Sequence, residues 1–222
     1  MNNTVELLGV YGSDEVHALS AWTSTSRDLT EDKVSRIPNL LKMLADNGHE
    51  TPFEKSSLHF LVNVDQATHI HLLKHRIGVS VNGESARYKE LKEDKMYLPE
   101  DWDGIEISDK YVREEYGLDR WDHLIHMFST MSNNLYHQCL ADLTPVLGRK
   151  RAKESARFFK TMNSQITMDV MFNFRSFVHF YKLRASDHAQ VEIRDVANQM
   201  LELIKEIEGN PFEHTLKAFK LN

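Results

Sequence analysis

Apolar and polar positions change their spacing several times along this chain, and each change marks an element. Val5 to Tyr11 is a short apolar run closed by Gly12-Ser13-Asp14, which predicts an opening strand and a turn. From Asp32 to Asn47 the residues Val34, Ile37, Leu40, Leu41 and Leu44 recur at helical spacing, and Asn47-Gly48 supplies the stop. Leu58, Phe60, Val62 and Val64 alternate with other residues from Ser57 to Val64, the pattern of a half-buried strand. Asp65 fits the N-cap of a helix running through Ala67, Ile70, Leu72 and Leu73 to about Arg76, where Gly78 ends it.

The second half reads as helical. Tyr111 to Leu143 predicts one long helical region, with Trp121, Leu124, Ile125, Phe128, Met131, Leu135, Tyr136 and Leu140 as an apolar stripe assigned to the core. A basic helix start at Arg149 leads into Ala152 to Phe159. Val170 to Leu183 and His188 to Glu208 predict two more helices around the polar turn Ala185-Ser186-Asp187. Between the halves, Leu91 to Asp109 carries Pro99 and many acids and reads as a long exposed connection without a binding role.

Composition narrows the classes. A length of 222 residues predicts a single domain, 1–222, and 41% hydrophobic with 27% charged residues is ordinary for a soluble globular chain. A net charge of -6 lacks the basic field that nucleic acid demands, so no nucleic-acid partner is expected, whereas a small anionic ligand needs only a local cationic pocket. No apolar run approaches the roughly 20 residues of a membrane span, so no membrane role is expected. Cys139 is the only cysteine, and the N-terminus lacks the pattern of a signal peptide; a cytoplasmic protein is expected.

The stretch from Lys74 to Tyr88 carries the densest chemistry. Cations flank a small, polar loop in which Gly78 and Gly83 permit close backbone approach, Ser80, Asn82 and Ser85 supply short donors, and Arg76 and Arg87 supply planar forks for phosphate. A solvated surface hairpin is the competing reading. Arg157, among apolar neighbours, is expected to be less solvated than Arg149, Lys150 or Arg151, meeting either an anion or an internal carboxylate. Asn173, Arg175, His179 and Arg184 punctuate a strongly aromatic helix and fit one wall of a cleft, with an ordinary core helix as the alternative. Cys139 has no neighbour that would activate a thiolate, which favours packing. His71 and His75, four apart, raise a metal site and hence a metal-dependent hydrolase, but no third ligand stands at diagnostic spacing.

Three ordered blocks together resemble the flavin-dependent thymidylate synthase family. Asn47-Gly48-His49-Glu50-Thr51-Pro52-Phe53-Glu54 is similar to its early His-Glu-x-Pro-x-Glu block, and Lys74 to Tyr88 is similar to its Arg-His-Arg stretch followed by Ser-x-Arg-Tyr. Ser155-Ala156-Arg157 through Leu183-Arg184-Ala185-Ser186-Asp187-His188-Ala189-Gln190 is the third. The resemblance implies an α/β (α+β) fold with a central, mostly antiparallel sheet flanked by helices, and a homotetramer with shared active sites. It implies reductive methylation of dUMP to dTMP, with methylenetetrahydrofolate as folate carbon donor, FAD as hydride carrier and NADPH as reductant. Carried over by position, His71, Lys74, Glu84, Ser85, Ala86, Arg87, Arg157 and Arg184 would meet dUMP, Arg184 as the catalytic group at the uracil edge. His49, Thr51, Lys74, His75, Arg76, Asn82, Glu84, Asn173, Arg175 and His179 would hold FAD; no metal is implied. The chain departs from the family in having Lys74 for an arginine, one extra residue between Arg76 and Ser80, Gly83-Glu84 around the position of an acid, and His71 for a glutamine. These departures leave open a divergent member that binds dUMP and FAD without turnover, or that gives a hydroxymethyl product.

Overall fold

The computed structural model describes residues 2–222. Four strands, β1 (Thr4–Tyr11), β2 (Ser57–Asp65), β3 (Val79–Gly83) and β4 (Gln165–Phe172), form one antiparallel sheet in the order β1-β2-β4-β3. The chain divides into two compact units, one of residues 2–3, 63–70 and 83–167, the other of residues 4–62, 71–82 and 168–222. Most of the sheet lies in the second unit.

In that second unit, β2 buries Leu58, Phe60 and Val62, as its alternation predicts. Helices α1 (Asp14–Trp22) and α2 (Glu31–Asp46) follow β1, and α2 turns Ile37, Leu41 and Leu44 inward. β3 occupies the segment read as a Gly/Ser loop: its alternating Val79 and Val81 are half-buried while Ser80 and Asn82 face out, so a short edge strand hides in a turn-like composition. β4 extends to Phe172, through residues predicted as helix. Met168, Val170 and Phe172 alternate into the core, and the helical pattern starts only after Asn173, whose Oδ1 accepts from Ser176 N–H at 2.8 Å.

A buried polar chain locks this unit. Ser56 Oγ lies 2.8 Å from His17 Nε2, His17 Nδ1 lies 2.9 Å from Thr215 Oγ1, and Thr215 Oγ1 donates to Asp14 Oδ1 at 2.6 Å. Because the Thr215 proton is committed to Asp14, its oxygen must accept from His17 Nδ1–H. Burial holds the His17 pKa down to about 4, so the ring is neutral and its Nε2 accepts from Ser56. Phe53 packs edge-on against His17 at 5.2 Å between centroids, which ties the turn Thr51–Glu54 to this lock.

The first unit is mostly helical. The predicted single helix from Tyr111 is two, α4 (Lys110–Tyr116) and α5 (Trp121–Leu147), separated where Gly117 takes a left-handed φ of 65° and its N–H closes on Arg113. α6 (Arg149–Ala156) returns along α5, and Tyr136, Leu140, Ala152 and Ala156 form the core, with Leu91, Cys139 and Leu143 packed on it. The stripe assigned to the core is mostly outside it. Tyr136 and Leu140 are buried, but Trp121, Phe128, Met131 and Leu135 remain 40 to 48% exposed. The segment 91–109 is not simply exposed either, since Ile107 is fully buried.

Candidate active site

α3 (Gln66–Leu73) begins in the first unit at Asp65, which accepts from Thr68 N–H at 2.8 Å as its sequence predicts, and its last residues, from His71, belong to the second unit. The helix ends at Leu73, before the predicted Arg76. The last amides, of Lys74 and His75, bond back three residues to His71 and Leu72, tightening the turn until Gly78 reverses it. Gly78 has a φ of 65°, and a Cβ there would come within 2.3 Å of both Asn173 Nδ2 and Ser176 Oγ. Only glycine lets the Lys74–Gly78 turn sit against the start of α7 (Phe174–Arg184), where Ser176 Oγ donates to Ile77 O at 2.7 Å and Asn173 N–H to Gly78 O at 3.1 Å.

The far end of α7 carries Arg184. Its Nε donates to His75 Nε2 at 2.9 Å, its Nη1 meets His71 Nδ1 at 3.2 Å, and its Nη2 donates to His71 O at 3.4 Å. A guanidinium only donates, so both imidazole nitrogens facing it are acceptors and both rings are neutral. Burial, then the charge of Arg184, then His179 and His71, hold the His75 pKa down to about 4. Among the described residues no carboxylate pairs with Arg184, so it keeps its full charge. One N–H on each terminal nitrogen is left over, the spacing of a fork for two acceptors on a planar ligand. The two histidines whose spacing raised a metal site both serve this arginine, and His75 lies beyond the helix that would have aligned them.

His179, exposed, stands with its ring 6.3 Å from that of His75. Lys74 and Arg76 are exposed and pair with no carboxylate among the described residues. Asn82 is exposed on β3, and His49 and Thr51 are exposed beside the Thr51–Glu54 turn. Arg175 differs: its Nε donates to Glu50 at 2.9 Å and its Nη1 to Glu54 at 2.5 Å, so its charge is already met. The donor set of Lys74, Arg76, Asn82 and His179 fits a flat, anionic cofactor with a pyrophosphate, since unpaired cations and amides are what those oxygens require.

The first unit holds a separate group. Glu84 N–H donates to Thr167 O at 2.8 Å, Thr167 N–H donates to Glu84 Oε2 at 3.0 Å, and Lys89 bonds Glu84 Oε1 at 2.6 Å. Burial alone would raise the Glu84 pKa, but Lys89 and the Thr167 N–H outweigh it and leave it lowered. Of the pair Gly83-Glu84, Glu84 is thus the anchored acid. Ser85 Oγ accepts from Arg87 N–H at 3.3 Å, Ala86 lies between them, and Arg87 Nε donates to Glu154 on α6 at 2.8 Å. Glu154 also draws Arg151, at 3.6 Å.

Arg157 is exposed at the end of α6, contrary to its predicted burial. The buried cation of this region is Lys160, with 3% of its side chain exposed. It bonds Asp94 at 2.9 Å and Asn133 at 2.7 Å and lies 4.4 Å from the Tyr136 ring centroid. Arg157 sits in a tight turn, Arg157–Phe159, that ends α6 and turns its side chain out. Gln190 and Glu154, which contact His71 and Arg87, were not singled out from sequence; spacing gives no signal for partners 119 and 67 residues away.

A charged fork held by neutral groups, with unpaired cations on the Lys74–Gly78 turn, is an arrangement suited to planar, anionic ligands. The family model described as thymidylate synthase complementing protein matches residues 6–208. A flavin-dependent thymidylate synthase of Thermosipho africanus is 31% identical over 221 residues, covering 97% of this chain and 92% of that protein. One from Clostridium tetani is 27% identical, covering 86% and 74%. The structure of the UMP/dUMP methylase PolB from Streptomyces cacaoi, bound with 5-Br dUMP, superimposes with a TM-score of 0.77 at 26% identity, covering 99% of this chain and 95% of that one. The chain belongs to the thymidylate synthase complementing protein family, the family of the flavin-dependent thymidylate synthases.

Proposed function

We propose that this protein converts dUMP to dTMP by reductive methylation, with methylenetetrahydrofolate as carbon donor, FAD as hydride carrier and NADPH as reductant. The observation that carries this reading is the uncompensated guanidinium of Arg184. Methylation at C5 of a uracil ring needs electron density at C5, and ionisation at N3 delivers it. A fixed cation at the ring edge stabilises that anionic form, and two neutral imidazoles hold the cation in place without cancelling it. Ser85, Arg87 and Arg157 would take the nucleotide phosphate, with His71, Lys74, Glu84 and Ala86 completing its contacts. Lys74, His75, Arg76, Asn82, Asn173, Arg175, His179, His49, Thr51 and Glu84 would hold the flavin. Bound flavin supplies the hydride that reduces the transferred carbon to a methyl group. Packing of Cys139 against the α5–α6 core supports a route without a thiol nucleophile.

A homotetramer with shared sites is part of this reading. Trp121, Phe128, Met131 and Leu135 recur at intervals of seven, three and four along α5 and form one exposed apolar face of a helix whose core contacts are with α6. A second copy of the chain is its proposed cover.

Purified protein is expected to be yellow and to release tritium from 5-tritiated dUMP when given NADPH and methylenetetrahydrofolate. Failure to bind flavin after reconstitution would overturn the reading. Nucleotide binding by calorimetry without tritium release would establish the non-catalytic alternative, and a hydroxymethyl product in the mass spectrum the other. The likeness to a UMP/dUMP methylase makes UMP the second substrate to assay.

A further inference from the structure

Gln190 has no part in the reading above, yet its side chain is committed to a contact that its place in the fold does not require. It stands at the N-cap of α8 (Val191–Lys205), and its side chain does not cap that helix. Its Oε1 instead lies 3.2 Å from Nε2 of His71. His71 in turn presents Nδ1 to Arg184 at 3.2 Å. The direction of each hydrogen in this chain follows from one end. Arg184 can only donate, so His71 Nδ1 accepts; the ring proton is then on Nε2, and Gln190 must present its carbonyl oxygen to receive it.

We propose that Gln190 is a positioning residue for Arg184, receiving the His71 Nε2 proton and so stabilising the tautomer, selected by the guanidinium, that keeps Nδ1 an acceptor for Arg184. The proposal rests on Arg184 serving the nucleotide ring, as set out above. Gln190 suits the task because its carbonyl is neutral. A carboxylate at this place would favour the imidazolium, which has no acceptor to offer and sets a second cation beside Arg184. A side chain without an acceptor would leave the Nε2 proton unmet, so the Nδ1-protonated form, in which two N–H groups face each other, would gain population and loosen the hold on Arg184. The connection supports the arrangement: Arg184 and Gln190 bracket the segment 185–189, closed by Ala189 N–H on Ser186 O at 2.9 Å, so one short turn carries both ends of the relay.

Long-range proton–nitrogen NMR on histidine-labelled, flavin-loaded protein reads the His71 tautomer directly. Wild type is expected to show the Nε2-protonated form, and Gln190→Leu a mixture of both. In the same variant kcat/KM for dUMP should fall about tenfold, the loss of one hydrogen bond to a charged group, with flavin content unchanged. Gln190→Asn keeps the amide but falls one methylene short of the ring; it should reproduce both effects and serves if the leucine variant does not fold. In a His71→Leu background, Gln190→Asn should change kcat/KM less than twofold, because nothing is left for Gln190 to orient. An unchanged tautomer and rate in both Gln190 variants, or an undiminished loss in the His71→Leu background, overturns the proposal. Arg184→Ala separates the two levels: if it is fully active the reading of Arg184 itself fails, whereas an inactive Arg184→Ala beside wild-type Gln190 variants sinks only the role of Gln190.

Discussion

The two ends of α7 hold an arginine each, and they hold it in opposite ways. Arg175, in the first turn, is met by the carboxylates of Glu50 and Glu54, so its charge is cancelled where it stands. Arg184, the last residue, is met by two neutral imidazoles and a backbone carbonyl, so it is oriented but not neutralised. The contrast separates a cation already paired within the fold from one left uncompensated. An ion pair docks a helix on a neighbouring turn, whereas a positioned but uncompensated cation has electrostatic work left to do on a ligand.

The largest test of that contrast is Arg184→Ala, which should lower kcat/KM for dUMP by between about tenfold and a hundredfold, as for loss of a charge-assisted hydrogen bond of about 1.5 to 3 kcal/mol. Tritium-release kinetics at fixed flavin loading would measure it. Arg175→Ala should cost less, about twofold to fivefold in flavin affinity and a slightly lower melting temperature, because partly exposed pairs contribute at most about 1 kcal/mol each. A larger loss of nucleotide turnover from Arg175→Ala than from Arg184→Ala would reverse the comparison.

Acid should act near both ends of α7, through His75 beside Arg184 and His17 beside Phe174. His75 accepts from Arg184 only while neutral, and its folded-state pKa is about 4 against an ordinary 6.5. The same depression applies to His17. For a histidine held neutral by the fold, the stabilisation is complete above the unfolded value of 6.5 and is lost as pH falls from 6.5 toward 4, where the unfolded chain binds the proton first. His17, fully buried, should account for roughly 3 kcal/mol of that fall. Denaturant melts of wild type and His17→Gln between these pH values check it: the variant should start less stable and lose less with acid.

Glu154→Gln should release Arg87 and tighten dUMP binding by a few fold by calorimetry, since a carboxylate no longer competes with the phosphate. The smallest effect is expected from Arg149→Ala, whose pair with Glu90 lies on the surface; activity should stay within about twofold.

Local pattern made much of the fold legible. The alternation from Leu58 to Val64 and the helical spacing from Val34 to Leu44 reported β2 and α2, because each element buries one face within its own unit. The α5 stripe misled for a related reason: the same spacing serves a face turned to the core and one left exposed, and periodicity cannot say which. β3 was hidden because five residues with two glycine-flanked polar positions look like a turn until β4 pairs with them. At the site, the residues of Lys74 to Arg87 and Arg184 were singled out through the family blocks. Their partners were not, since His71 meets Arg184 across 113 residues and Arg87 meets Glu154 across 67. The inward cation was misread as Arg157 instead of Lys160, because a tight turn between them decides which side chain faces in.

The most direct test of the central claim is tritium release from 5-tritiated dUMP by flavin-loaded protein, wild type beside Arg184→Ala, with NADPH and methylenetetrahydrofolate present. The account predicts release by wild type that depends on both co-substrates and falls at least about tenfold in the variant at equal flavin content. Equal release by the two proteins, or none by flavin-loaded wild type, would contradict it.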